Sequence, residues 1–383
     1  MDIIGIVCEY NPFHNGHLYH LNKIKEMFPN SLIILVMSGN ITERGDFSII
    51  NKWDKTHIAL HYGIDLVIEL PFTFASQSAD IFCYGSMSIL NYLKVDKIIF
   101  GSECNNINDL TKIAKTQLNN KEYNIAIKNY LKKGYNYPTS LSKALEDITA
   151  INVKEPNDIL GIGYIREIID NDYNIEPICI KRTNDYNDLN LNNNISSATS
   201  IRYALYNNED ISNQVPEYTL RYLHNLRYIE DYYPYLKYKI ISEINTLDKY
   251  QTVDKNIIPR IKKYIYQSNS LEELILNIKS KNYTYNKLKR MFTHILMSFT
   301  KEEASKHTKI EYIRILGFNK KGQQYLNKIK KNIKIPLITK YNDKYLNIEN
   351  RISNIINLKQ HDKLEYQYSP IIIDSNIKVN SSK

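Results

Sequence analysis

Four short, uninterrupted apolar runs, separated by helical patterns, leave the first hundred residues few folds to adopt. Ile3 to Cys8, Leu32 to Met37, Leu66 to Leu70 and Lys97 to Phe100 read as strands buried on both faces of a parallel sheet. Between the first two, Leu18, Leu21, Ile24 and Phe28 recur at helical spacing until Pro29-Asn30 stops the run. A second helix from about Asn51 ends near Gly63, and a third runs from about Ser78 to Leu93. This alternation calls for an open, Rossmann-like, doubly wound α/β sheet with its ligand crevice at the carboxyl ends of the strands.

Residues 107 to 170 are helical with short breaks, including a start at Glu155-Pro156-Asn157-Asp158, where Pro suits a first turn and Asn or Asp a cap. Ile175 to Lys181 is a further strand, and 183 to 194 is an Asn and Asp rich loop too polar to bury. A helix from about Ala198 closes this α/β part near residue 206. From there to about 332 the pattern is helical and basic, with Leu271, Leu274, Ile275 and Ile278 as one apolar stripe. Ile335 to Thr339 is a short strand, Leu346 to Leu358 a last helix, and Asn376 to Lys383 a frayed tail. The expected division is therefore a nucleotide-binding catalytic domain over 1–206 and a mainly helical, basic domain over 207–383.

Charge separates these halves. Residues 1–200 hold 18 basic and 23 acidic side chains, residues 201–383 hold 32 and 18, and 251–340 alone holds 20 and 6. A Lys, Asn, Ile and Tyr rich nucleotide bias would colour both halves alike, so the asymmetry points to a polyanion partner for the second. No run approaches the ~20 apolar residues of a membrane span, and Met1-Asp2-Ile3 lacks a basic signal-peptide start. The expected location is the cytoplasm. Cys8, Cys83, Cys104 and Cys179 lie far apart with no CxxC pair, which predicts reduced, mostly buried thiols.

The chemistry concentrates in Cys8-Glu9-Tyr10-Asn11-Pro12-Phe13-His14-Asn15-Gly16-His17. A buried strand ends, a turn with Asn-Pro follows, and His-Asn-Gly-His opens the first helix. Unpaired N–H groups and the helix dipole favour an anion there, so a triphosphate can lie beside two imidazoles one turn apart. Gly16 leaves room for a nucleotide to approach the backbone. The alternative is a metal held by His14, His17 and His20, with Cys8 or the His57/His61 pair. A catalytic metal needs three converging ligands, and His20 points away from His14 on a helix. A second element, Ile195-Ser196-Ser197-Ala198-Thr199-Ser200-Ile201-Arg202, puts small hydroxyls and a cation in the first turn of a late helix, suited to a phosphate. Alone it reads as an ordinary cap and a surface arginine. Together the two motifs are specific.

Strand, His-x-Gly-His and late Ile-Ser-Ser-x-x-x-Ile-Arg resemble the signature pair of the HIGH-type nucleotidyltransferase superfamily. A closer resemblance is to the bacterial tRNA(Met) cytidine acetate ligase family. It is carried by Gly5-Ile6-Val7-x-Glu9-Tyr10-Asn11-Pro12-Phe13-His14-Asn15-Gly16-His17, Val36-Met37-Ser38-Gly39-Asn40 with Arg44-Gly45, Glu69-Leu70-Pro71-Phe72, Phe100-Gly101-Ser102-Glu103 and Pro156-Asn157-Asp158-Ile159-Leu160-Gly161. The similarity extends to Ile335-Pro336-Leu337-Ile338-Thr339 and is strongest before residue 205.

The resemblance implies an enzyme that activates acetate with ATP as acetyl-adenylate, releases pyrophosphate, and passes the acetyl group to N4 of the wobble cytidine of elongator tRNA(Met). It implies an ATP site at Val7, Cys8, Glu9, Tyr10, Asn11, Pro12, Phe13, His14, Asn15, Gly16, His17, Leu18, Tyr19 and His20, completed by Gly101, Asn157 and Arg182. Gly101 ends a strand at the crevice edge, where a nucleotide comes close. Asn157, at a helix start, and Arg182, at a strand end, are rim positions; on its own Asn157 reads as a cap. His14 and His17, with Mg²⁺ bound through the phosphates, would stabilise phosphate charge, while Ser197, Thr199, Ser200 and Arg202 hold the departing pyrophosphate. No enzyme nucleophile is needed, and Cys8 is expected to be inert. Single-stranded loops are how RNA is read base by base, and Arg260, Lys262, Lys263, Lys287, Lys289 and Arg290 are the candidate tRNA-binding cations. Two other classes remain open: a small-molecule adenylyltransferase, which would not need the basic appendage, and a non-catalytic RNA-binding protein, which would not need the imidazoles.

Overall fold

Successive residues of the predicted strands go to opposite faces of one sheet, as the two-residue period of a strand requires. Leu32, Ile34 and Val36 pack with Leu90 and Ile165 on one side, and Ile33, Leu35 and Met37 with Leu21, Ile24 and Ile58 on the other. Both faces are dry, which is why these strands are continuous apolar runs. The computed structural model describes residues 1–135, 137–182, 191 and 195–374. The Asn and Asp rich loop at 183–194, apart from Leu191, and the tail from Asn376 lie outside the described residues.

The strands are β1 (Ile3–Cys8), β2 (Leu32–Ser38), β3 (Leu66–Leu70), β4 (Lys97–Ser102), β5 (Glu176–Lys181), β6 (Ile313–Asn319), β7 (Leu337–Ile338) and β8 (Ile371–Ile373). Their order is β5-β4-β1-β2-β3-β6-β7, with β8 paired to β6. β1 to β5 pair in parallel, Ile3 opposite Leu32 through Cys8 opposite Met37. The chain runs outward from β1 through β2 to β3 and then crosses to place β4 on the other side of β1. That reversal opens a crevice beyond the carboxyl ends of β1 and β4.

Helices cover both faces. α1 (Asn15–Met27) follows β1 and buries Leu21 and Ile24; α2 (Lys52–His61) follows β2 and is capped by Asn51. The helix Ala79–Tyr92 precedes β4. Helix Pro156–Asp170 starts as Pro156 predicts, but its cap is Glu155 rather than an Asn or Asp. The closing helix is Ala198–Tyr206. Beyond it, Ile240, Leu274, Ile275, Leu288, Phe292 and Ile352 build a separate helical core, into which Ile41, Phe47 and Phe72 of the first part also pack.

One expectation is corrected. The stretch to residue 332 is not helical throughout, because β6 returns to the sheet antiparallel to β3. Arg314 interrupts its apolar run and hides the strand pattern. The structure buries this arginine completely against Glu365, which also meets Lys52 of α2 at 2.9 Å, while Lys52 bonds Glu69 of β3 at 2.8 Å. A charged cluster therefore knits β3, β6 and α2 together from within. Three strands C-terminal of residue 206 thus complete the sheet begun before it.

Candidate nucleotide-binding site

The turn after β1 is fixed from several directions. Tyr10 adopts a left-handed backbone (φ 48°) and the Asn11–Pro12 peptide is cis. Behind the turn lies Lys55 of α2, wholly buried, whose ammonium donates to the carbonyls of Glu9 (2.9 Å), Ser38 (2.8 Å) and Gly39 (2.9 Å) and to Ser48 Oγ (2.9 Å). Burial pulls the pKa of this lysine down to about 7 against the opposing pull of Glu9 and Glu69. Carbonyls just past parallel strands have no ladder partner, and one ammonium satisfies three of them. The Glu9 carboxylate accepts the Glu43 N–H at 2.7 Å, and Asn11 Oδ1 accepts that of Ile49 at 2.7 Å. Phe13 is buried between Tyr10 and the parallel ring of Tyr62.

The two imidazoles then cap α1 reciprocally. His14 Nδ1 accepts the Gly16 N–H at 3.0 Å, and the His14 N–H donates to His17 Nδ1 at 3.3 Å. With Nδ1 accepting in both rings, each neutral ring carries its proton on Nε2 as a donor. The rings lie 3.8 Å apart. Burial holds His14 down to about 3, with Arg182 and Arg202 adding to the effect, and holds His17 well below the usual histidine range, with His14 and Arg182 next. His20 is held at about 4 by burial and Arg182, and its buried Nε2 has no hydrogen-bond partner among the described residues. The Tyr10 hydroxyl is likewise buried and without a partner among the described residues. What crowds Gly16 is the His14 ring, whose Cε1 would stand 2.8 Å from a Cβ there.

The second wall is the start of helix Ala198–Tyr206. Ser197 is its cap, accepting the Ser200 N–H at 3.0 Å, while Ser200 Oγ donates to the Ser197 carbonyl at 2.9 Å. Arg202 reaches across to donate to the Asn11 carbonyl at 2.7 Å and to Thr199 Oγ1 at 3.2 Å. The two sequence motifs are therefore in direct contact.

The third wall is the end of β4, where Gly101, Asn157 and Arg182 meet around a residue the sequence reading did not assign to the site. Glu103 accepts from Asn157 Nδ2 at 2.6 Å and from the Asp158 N–H at 3.1 Å, with Arg182 Nε 3.5 Å away. Burial raises its pKa, against the pull of Asn157 and Arg182. A Cβ on Gly101 would come within 3.2 Å of the Arg182 side chain, so this glycine makes room for that arginine. Asp158, also unassigned from sequence, is buried and accepts the N–H groups of Glu103 and Cys104 at 3.0 Å each. Both stand in the strings Phe100-Gly101-Ser102-Glu103 and Pro156-Asn157-Asp158 that carry the resemblance, but neither had a role beyond a carboxylate beside a strand end or helix start.

Burial pushes the Cys8 thiol up to about 12, which keeps it protonated. His61 stacks on Tyr218 at 3.7 Å and His57 faces Tyr222. Among the described residues no group of three or more His, Cys, Asp or Glu is placed to hold a metal ion.

The six basic candidates divide. Lys262, Lys263 and Lys287 are exposed. Arg260 donates to the Lys279 carbonyl at 3.4 Å. Lys289 and Arg290 are half-buried and tied to Asp46 at 2.7 Å and Glu43 at 2.6 Å. They brace the segment that in turn holds Glu9. No helix among the described residues is long and apolar enough to cross a membrane.

A parallel sheet with paired imidazoles capping its first helix, faced by a Ser-Ser-x-x-x-Ile-Arg turn, defines a class, and the chain belongs to the HIGH nucleotidyl transferase family, which it matches over residues 1–370. Within that family it is similar to proteins named tRNA(Met) cytidine acetate ligase. It is 39% identical to the tRNA(Met) cytidine acetate ligase of Caldicellulosiruptor bescii, over 98% of this chain and 100% of the relative. It is 38% identical to that of Anoxybacillus flavithermus, over 88% and 89%. Among solved structures it is similar to Thermotoga maritima TmcAL, with a TM-score of 0.91 for the apo form at 27% identity over 98% of this chain and all of that one. The form of that protein bound with alpha-thio ATP gives 0.89 at 28% identity, with the same coverage.

Proposed function

We propose that this chain is a tRNA(Met) cytidine acetate ligase that works in the cytoplasm in two steps at the crevice between β1 and β4. An acetate oxygen attacks the α-phosphorus of ATP, the bond to pyrophosphate breaks, and acetyl-adenylate forms. The N4 amine of the wobble cytidine of elongator tRNA(Met) then attacks the acetyl carbonyl, AMP leaves, and N4 gives up a proton to yield N4-acetylcytidine.

The observation that carries this reading is the paired cap of α1. Two neutral imidazoles with Nε2–H donors, at the positive end of a helix, suit a triphosphate whose charge shifts as pyrophosphate departs. Arg202 and Thr199 join the donors from the opposite wall, and Ser197 and Ser200 hold that wall in shape. Gly101, Asn157 and Arg182, organised by Glu103, form the nucleotide's other rim. Magnesium enters through the phosphates, where it would neutralise charge; Glu103, the carboxylate of this rim, is already engaged by Asn157 and the Asp158 N–H. Residues 1–206 would carry the chemistry and the basic residues of 207–383 the tRNA.

Acetate-dependent exchange of labelled pyrophosphate into ATP tests the first step. Exchange with acetate, and none with nicotinamide mononucleotide or phosphopantetheine, is the expected result. The reverse preference would make the chain a small-molecule adenylyltransferase instead.

A further inference from the structure

The helices Lys121–Lys132 and Tyr137–Thr149 form a hairpin whose tip reaches the turn before helix Tyr285–Leu296. There Lys281 Nζ donates to the Gly134 carbonyl at 2.6 Å. The bond joins two surfaces of the same make-up. On the hairpin, Lys143 lies 5.8 Å from the Tyr130 ring and 5.2 Å from that of Tyr135, and Lys133 lies 5.3 Å from Tyr130. Tyr135 is 38% exposed and Tyr137 60%. Across the contact, Lys287 lies 4.9 Å from the Tyr283 ring, with Arg260 and Lys279 alongside. Lys132, Lys133, Lys279, Lys281 and Lys287 are all exposed.

The helix that carries Lys287 also braces the crevice wall, through Lys289 and Arg290. Lys289 and Arg290 hold Asp46 and Glu43, and the Glu43 N–H meets the Glu9 carboxylate. Cations laid over tyrosine rings order both partners while the ammonium tips stay in water. Cations interleaved with exposed tyrosines such as Tyr135 and Tyr137 match the phosphates and unpaired bases of an RNA loop, whereas an acidic protein would use the charge and leave the rings idle.

We infer that the hairpin tip and the 279–287 turn form one continuous RNA-binding surface, so that both halves of the chain grip the RNA. The inference rests on the tRNA reading above and extends it to a hairpin that the charge distribution alone assigns to the catalytic half.

The test is filter binding of tRNA(Met) transcript to the full chain over a salt series. Wild type is compared with K133Q/K143Q and with Lys281→Ala, alongside acetate-dependent pyrophosphate exchange. For the double variant the expected result is a loss of affinity of about 3- to 10-fold and a salt slope shallower by roughly 1 to 2, since each released phosphate contact contributes ~0.7 to 0.9. Exchange should stay at the wild-type rate. Lys281→Ala should weaken binding by a similar factor. Unchanged affinity and slope in both variants, with wild type binding tRNA, would overturn this surface and leave the proposed function standing. A wild-type chain that exchanges pyrophosphate but binds no tRNA would overturn both.

Discussion

Arg202 donates to the main-chain carbonyl of Asn11 across 2.7 Å, joining residues 191 positions apart. The strand-turn-helix motif and the late Ser-Ser motif are therefore tied directly to each other, and the cation proposed to meet phosphate is held by main chain of the opposite wall. Replacing Arg202 by Ala should cost acetate-dependent pyrophosphate release about 10²-fold and raise the KM for ATP. Arg202→Lys should recover only part of that loss, since a single ammonium does not reproduce the fork that serves Asn11 and Thr199 together. Steady-state kinetics of the three proteins decides; a fully active Arg202→Lys protein would reduce the arginine to a point charge.

His14 has two separable jobs. Its Nδ1 caps α1, and its Nε2–H is the donor proposed for phosphate. Asn is among the best cap residues and offers an acceptor oxygen in place of Nδ1. His14→Asn is therefore expected to melt close to wild type yet lose roughly 10²-fold in activity. His14→Ala should lose both, with about 1 kcal/mol of cap stability. Equal activity in His14→Asn and wild type would remove the imidazole from catalysis.

Acid should destabilise the fold through these same rings. His14 is held down to about 3 and His20 to about 4 in the native state, against ~6.5 when unfolded. Between those values the unfolded chain binds protons that the folded chain refuses, so stability falls as pH falls below about 6.5. Each ring contributes up to roughly 1.4 kcal/mol per pH unit. Urea midpoints at pH 7, 6 and 5 should decline, and less steeply in His20→Phe. An identical decline in that variant would contradict the assignment.

The first four strands were legible because burial on both faces leaves them nearly continuous apolar runs, and the crevice followed from the order of alternation. β6 was not, because Arg314 looks like a surface residue until its partner Glu365, shared with Lys52, is brought beside it by a distant part of the chain. The imidazoles stood out because a turn so dense in polar groups serves no packing purpose. Lys55 was silent, an ordinary lysine on a helix, and Glu103 stood in a resembling string without a role; only folding shows what each one holds. Lys289 and Arg290 read as surface charge, yet Glu43 and Asp46, 243 or more positions away, take both.

Lys55 should be needed for stability and for nucleotide affinity together. Lys55→Met leaves three buried carbonyls without a donor, a cost of about 3 kcal/mol, and releases Glu9 at the head of the nucleotide loop. Urea unfolding and the KM for ATP should both worsen. A stable variant with a normal KM would show that water replaces the ammonium without consequence.

The basic residues should separate into two functional sets. Lys262→Gln and Lys263→Gln are expected to raise the KM for tRNA while leaving acetate-dependent pyrophosphate exchange unchanged. Arg290→Gln loosens Glu43 and through it Glu9, so exchange itself should fall by about 3- to 10-fold. Measuring exchange and tRNA saturation on the same preparations separates these outcomes, and equal effects of all three on exchange would dissolve the distinction.

The most direct test of the central claim is acetyl transfer from labelled acetate to a tRNA(Met) transcript with ATP present, with the modified nucleotide located. Expected are one N4-acetylcytidine at the wobble position, AMP and pyrophosphate formed with it, and product reduced by about 10²-fold or more in His17→Ala. No label in the tRNA, or as much product from His17→Ala as from wild type, would contradict it.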